Sequence, residues 1–373
     1  MKFTKHNFFM SFFGFVSYLV DIGIDISVAV KHFTGGHFIA GSLTLTFILI
    51  AMIIVQVFSY TWFKSDNEYD RQGNQDWIII SHLLQFGIFV RYSLVMKYGF
   101  HAASFPCCRA REVYCGDIHK AAVDAMTDLS MLRLFETFLE SIPQLILQIY
   151  ILMKYEDISL IQYAFLVAAF CSNSWSAVDF QISLRKSLPE KKGIRVGLPL
   201  VTFLFYKILT LTSWTLSIAL FGILNIYCLI SLIAVLWIMS FSWTWKQKTS
   251  FCQSTCMEVL YRVIVGVILV FTFFNVRGQK TKIPMSVYYV FRVFLTASII
   301  SLCWYLDPSV TEKAYFFPVC LTIVLALGLG IFSLILYYAV FHPNIYKVEE
   351  KGLDTMDGPI GGRINRMQSF LML

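Results

Sequence analysis

The sequence predicts an all-α polytopic membrane protein with eight transmembrane helices plus two partly inserted helices, arranged as two pseudo-repeated halves. Three observations predict it. Hydrophobic residues fill 57% of the 373 positions and charged residues 14%, with 35 Phe, 19 Tyr and 8 Trp, a balance foreign to soluble domains. Mean hydropathy is +0.67. A spanning helix needs about 20 mostly apolar residues to cross roughly 30 Å of hydrocarbon, and ten stretches near that length follow one another along the chain.

In order, the stretches run over residues 8–30, 37–63, 77–97, 127–153, 158–183, 198–222, 225–246, 256–275, 285–305 and 315–341. Lys2 and Lys5 ahead of the first imitate a signal peptide. That run continues past Asp21 without a small-residue cleavage site, so it reads as a retained first helix. No N-x-[ST] acceptor occurs, so orientation rests on Lys and Arg, which collect in short cytoplasmic loops. The loop "RKSLPEKKGIR", with Arg185, Lys186, Lys191, Lys192 and Arg195, and the loop with Arg277, Lys280 and Lys282 are expected inside. The loops Lys31–His37 and Asp307–Lys313 are charge-poor or mixed and suit the outside.

With both termini and both basic loops cytoplasmic, each half must cross an even number of times, yet each holds five apolar stretches. One stretch per half is therefore expected to enter and return. The candidates are 77–97 and 256–275, which carry Arg91 and Arg262 between positively charged flanks. Such backbone is tolerated only where protein or a wet cavity covers it. A local echo supports duplication: "FSYTWFK" ends the second stretch and "FSWTWK" the seventh. The expected divisions are a first membrane half at 1–184, a second at 185–341 and a cytoplasmic regulatory tail at 342–373.

One stretch carries a polar ladder. In "FETFLESIPQLILQ", Glu136, Glu140, Gln144 and Gln148 recur every four residues, with Arg133 in the same third of the helix circumference. From Asp128 to Gln148 the helix rises about 30 Å, most of a bilayer's depth. Either the stripe faces a polar groove, or Arg133 neutralises Glu136 and the glutamines tie helices together. Pro143 removes a backbone hydrogen bond and is expected to kink the helix, freeing a carbonyl near Leu139. Asp21, Asp25, Asp179, Lys207 and Arg292 lie in other stretches. Each intramembrane charge costs at least about 2.5 kcal/mol on insertion scales, so these side chains are expected to face inward. A polar path and a set of buried ion pairs both satisfy that constraint.

No enzyme chemistry and no cofactor is expected: there is no Gly-rich phosphate loop, H-E-x-x-H or G-x-S-x-G. Cys107, Cys108 and Cys115, near His101 and His119, match no zinc-finger spacing, and reversible acylation of Cys107 or Cys108 suits this loop better than metal. Nothing suggests nucleic acid as a partner. The charged track without an energy-coupling motif fits a passive conduit, a secondary transporter of small polar solutes, or a non-transporting scaffold.

"DLSMLRLFETFLESIPQLILQIYIL", "SWSAVDFQISLRKSLP" and "YYAVFHPN" together resemble the XK-related proteins, in the apoptotic scramblase branch, over nearly the whole chain. The resemblance implies a plasma-membrane phospholipid scramblase that exposes phosphatidylserine without ATP or calcium, silent until a caspase cuts its cytoplasmic tail. It implies a lipid path along Asp21, Asp25, Asp128, Arg133, Glu136, Glu140, Asp179 and Arg185. It leaves open whether a single-span chaperone subunit is needed. The founding member's disulfide to a partner protease does not carry over, because no cysteine follows Cys320.

In the tail, "EEKGLDTMDGPIGG" is polar and glycine-rich, a composition that favours protease access. Within the resemblance, "DTMD" before Gly358 looks like an executioner-caspase site, with Asp354 as the outer acidic anchor and Asp357 at the cleaved bond. The piece from Gly358 onward, with Arg363, Arg366 and "FLML", is expected to dock beneath the bundle and hold it closed.

Overall fold

The computed structural model describes residues 3–67, 75–104, 112–155, 160–188, 193–249, 251–252, 254–275 and 282–341. Among them there is no strand. Helix α1 (Lys5–Thr34) is followed by α2 (Phe38–Asn67). Gly36 takes a φ of 78° between them, which lets the His37 N–H return to the His32 carbonyl at 2.8 Å and close α1.

The third apolar stretch is not one helix. It breaks into α3 (Gln75–Leu83) and α4 (Gly87–Ser104) around Gln85, whose φ is 65°. Gln56 of α2 clasps the break: its Nε2 donates to the Gln85 carbonyl at 3.0 Å, and its Oε1 accepts the Gly87 N–H at 3.1 Å. A Cβ at Gly87 would stand 2.2 Å from that Oε1 and 2.5 Å from His82, so only glycine fits this approach. Nine residues of α3 rise about 14 Å, half a bilayer core.

Next come α5 (Glu112–Glu136), a π turn (Thr137–Ser141), α6 (Ile142–Tyr155) and α7 (Leu160–Ser187). After them come α8 (Leu198–Leu224), α9 (Ile226–Lys246), α10 (Thr255–Phe271), α11 (Lys282–Leu306), the short α12 (Pro308–Thr311), α13 (Phe316–Leu336) and a final π turn (Tyr337–Phe341). Helix α8 is central, with Trp214, Ile218, Ala219 and Leu220 all buried. Against it packs α13, whose Gly330 lies so close that a Cβ would stand 2.9 Å from Thr210.

Among the described residues, six helices are long and apolar enough to cross a membrane: α1, residues 38–65 of α2, α8, α9, α11, and α13 with its π turn. The stretch 127–153 and residues 160–183 of the next are helical but fall short of that measure. Asp117, Lys120, Asp124, Asp128 and Arg133 load α5, the π turn leaves α6 only 14 residues, and Gln162, Asn173 and several serines dilute α7.

The two stretches expected to enter and return share a local arrangement. On α4, the Arg91 guanidinium lies 3.8 Å from the Phe63 ring and 5.9 Å from that of Trp62, at the end of α2. On α10, the Arg262 guanidinium lies 5.0 Å from the Trp245 ring, at the end of α9. Trp62 and Trp245 hold the same place in the echoed "FSYTWFK" and "FSWTWK". Ahead of α10, Glu258 accepts the Cys252 N–H at 2.7 Å and Arg262 Nη2 donates to the Thr249 carbonyl at 2.5 Å, pinning the connecting loop onto the helix.

Candidate functional site

The polar ladder meets α1. Arg133 Nη1 donates to Glu136 Oε2 at 2.8 Å, one turn along its own helix, and Nη2 lies 3.6 Å from Asp21 Oδ2 on α1. Four residues after Asp21, Asp25 neighbours Glu140 of the π turn. Two carboxyl groups thus share the Arg133 guanidinium, and Asp25 and Glu140 lie beside them. Beneath Arg133 lies the Tyr18 ring, 4.8 Å from the guanidinium carbon, and Tyr18 stacks on Tyr92 of α4 at 5.8 Å between centroids. The Tyr92 hydroxyl donates to the Gly14 carbonyl at 3.1 Å, so α4 braces α1 from below.

The π turn sets this geometry. Ile142 N–H bonds to the Thr137 carbonyl, five residues back, just before Pro143, which has no N–H to give. The perturbation expected near Leu139 therefore takes the form of one extra residue in the turn. That residue shifts where Glu140 points relative to Glu136. The Thr137 hydroxyl lies 2.8 Å from that of Ser176, holding the turn against α7. Further along, Gln144 is buried and neither amide atom has a hydrogen-bond partner, while Gln148 is half-buried.

The other residues of the expected path have neighbours of their own. Asp128 pairs with Arg91 at 3.2 Å, and Arg91 also donates to Ser59 Oγ at 3.2 Å and to the Ser59 carbonyl at 2.8 Å. Ser59 Oγ in turn meets His82 Nε2 at 3.0 Å, so one buried network links α2, α3, α4 and α5. Asp128 precedes Arg133 by five residues, which on an α-helix is about 140° around the axis. Asp179 of α7 lies in the field of Lys186 and Arg133, and Lys186 donates to Asn7 at 2.7 Å. Arg185 lies near Tyr337 and Tyr338 of the last π turn. Asp354, Asp357 and Gly358 fall outside the described residues, as do Cys107 and Cys108.

The sequence pattern did not reveal Tyr18 and Tyr92, which hold Arg133 from below, because aromatic residues are everywhere in this chain. Nor did it reveal Ser59 and His82. A serine and a histidine 23 positions apart give no local signal that they share a hydrogen bond.

Residues 9–343 match the XK-related protein family. A protein of Tetraodon nigroviridis described as XK-related protein 9 is 36% identical, with 92% of each chain covered. An XK-related protein 8 from the same fish is 30% identical over 93% of this chain and 86% of its own. One from Pan troglodytes is 29% identical over 89% and 82%.

Proposed function

The chain belongs to the XK-related family, and from that premise we propose that it is a caspase-activated phospholipid scramblase, exposing phosphatidylserine by passive lipid flipping without ATP or calcium. The observation that carries this reading is the cluster where α1 meets α5 and the π turn: Asp21 and Glu136 share Arg133, with Asp25 and Glu140 beside them. A lipid headgroup entering hydrocarbon loses its hydration, and that cost keeps unassisted flipping slow. A carboxylate-rich face offers the choline, ethanolamine or serine ammonium a substitute for water. Arg133 offers the phosphate charge-assisted hydrogen bonds, and its 3.6 Å contact with half-exposed Asp21 is loose enough to exchange for one. Gln144, buried with an unused amide, extends the polar track beyond the charges. Several weak sites in series favour passage over retention.

The membrane arrangement proposed with it is eight crossings plus two partly inserted elements, in halves at 1–184 and 185–341. Support comes from the α3–α4 break, from the 17 residues of α10 and from the matching Arg–Trp contacts at Trp62 and Trp245. Both termini lie in the cytoplasm in this scheme and the protein resides in the plasma membrane. An executioner caspase is the activating partner, acting at Asp357 in the tail 342–373. A single-span chaperone subunit is a further candidate partner.

The test is reconstitution into liposomes carrying fluorescent lipids, before and after caspase treatment. A scramblase makes inner-leaflet label accessible after cleavage. Solute movement without lipid movement would mean a transporter, and movement of neither would mean a scaffold.

A further inference from the structure

The buried network around Ser59 is independent of the lipid reading above, and its protons can be placed atom by atom. His82 on α3 has Nδ1 2.8 Å from the Ile78 carbonyl and Nε2 3.0 Å from Ser59 Oγ. A carbonyl can only accept, so Nδ1 carries the hydrogen and Nε2 keeps its lone pair. The Ser59 hydroxyl must then donate to Nε2. On its other side Ser59 Oγ accepts from Arg91 Nε at 3.2 Å, and the Ser59 carbonyl accepts from Arg91 Nη2 at 2.8 Å. The donors run one way, from Arg91 through Ser59 to His82, and only a neutral imidazole completes the chain.

The surroundings are suited to that neutral ring. Among the described residues His82 forms no ion pair. The charged group that faces it is Arg91 of α4, one hydroxyl away, while Asp128 of α5 holds Arg91 Nη1 at 3.2 Å. From α2 come the rings of Tyr60 and Phe63, with centroids 5.8 and 5.5 Å from that of His82. Lys64 of α2 and Asp76 of α3 itself are exposed. Gly87 closes the last side, since a Cβ there would stand 2.5 Å from His82 Cδ2 and 2.7 Å from Nε2.

We propose that His82 is an acid-sensitive latch, which seats α3 against α2 and α4 while neutral and releases it when protonated. A proton on Nε2 turns the acceptor into a donor. Ser59 Oγ then meets two donors, its own hydrogen loses its acceptor, and two cations stand on either side of one oxygen. Burial and the Arg91 charge both oppose the imidazolium in the seated state. In released α3 the ring titrates at the ordinary histidine value, about 6.5. Seating is therefore full above that pH and is lost by up to about tenfold per pH unit below it. Arg91 keeps Asp128 throughout, so the release is confined to α3 and the break that follows it.

The test is hydrogen exchange of the full-length protein in detergent at about pH 7.5 and about pH 5, corrected for the intrinsic pH dependence of exchange. Mass spectrometry follows peptides covering residues 76–86. Their protection should fall by about tenfold or more at the lower pH, while peptides from α8 keep theirs. His82→Gln offers an acceptor that does not titrate and should hold α3 protected at both pH values. His82→Phe, a ring that fits between Tyr60 and Phe63, is the second non-titrating variant and should likewise lose the pH response. Unchanged protection of α3 in wild type, or an equal fall in either folded variant, overturns the latch. A fall shared by every helix would be general acid unfolding and would overturn it as well.

Discussion

Asp21 on α1 and Arg133 on α5 stand 3.6 Å apart, and this looser contact ties α1 to the ladder. Arg133 is closer to Glu136, at 2.8 Å, but that pair lies within one helix. The Asp21 side chain is 34% exposed, and ion pairs of that kind contribute only about 0–1 kcal/mol. The Tyr18–Tyr92 stack and the Tyr92–Gly14 hydrogen bond therefore hold α1 in place more than the charges do. Arg133 can leave Asp21 at little cost, which the proposed exchange for a lipid phosphate requires.

Replacing Glu136 and Glu140 together by Gln should slow flipping by the cleaved protein about tenfold, equivalent to ~1.4 kcal/mol on the barrier. Expression should hold, because the Tyr18–Tyr92 stack and the Tyr92–Gly14 hydrogen bond keep α1 in place. Flipping is read in liposomes and folding by thermal unfolding in detergent. Unchanged flipping would leave these carboxylates a packing role only, and a collapse in expression would show that Arg133 depends on them.

Asp128 is predicted to behave differently, although it lies in the same run of sequence. Asp128→Asn leaves the buried Arg91 without its counter-charge, a loss of about 3–5 kcal/mol. Flipping per folded molecule should stay at the wild-type rate. The combination Arg91→Met with Asp128→Leu should recover much of the stability, since apolar replacements of a buried pair are often tolerated. A folded Asp128→Asn protein that flips lipid markedly more slowly would put this residue on the lipid path after all.

The contrast between the two carboxylates shows what the sequence could disclose. Apolar length made the helices readable, and spacings of three and four residues put Arg133, Glu136 and Glu140 on one face. The same helical geometry turns Asp128 away, but the decisive fact is its partner: Arg91 lies 37 residues earlier, and no local pattern announces such a pairing. Pro143 signalled a disturbance, and the π turn is how the backbone resolves it. The break at Gln85 had no such signal, because neither Pro nor Gly occupies that position. Its cause is tertiary, the Gln56 side chain reaching from α2.

Gln144→Leu should separate stability from function. The buried amide has no partner, and an unsatisfied polar group costs about 1–3 kcal/mol. Leu is of similar size, so unfolding should shift upward by a few degrees. If the amide serves passing headgroups, flipping should fall in the same variant, the pattern of a site kept at the expense of stability. A stabilised protein that flips lipid at the wild-type rate would remove Gln144 from the path.

Activation is tested at Asp357. Asp357→Ala should block caspase cleavage and keep the protein silent in dying cells, because cleavage requires aspartate at that bond. Truncation after Asp357 should produce flipping without caspase if the tail is the sole brake. The reasoning is a population shift: a docked tail adds contacts to the closed state alone, and its removal releases no more free energy than those contacts supplied. To move the equilibrium from 1:99 to 99:1, the tail must contribute about 5.5 kcal/mol. The segment after the cut has Arg363, Arg366 and the apolar end "FLML" with which to supply it. A truncated protein as silent as the full chain would mean that the tail contributes less, and that assembly or a change of lipid must supply the difference. Phosphatidylserine exposure by Asp357→Ala during apoptosis would move the activating cut to another bond.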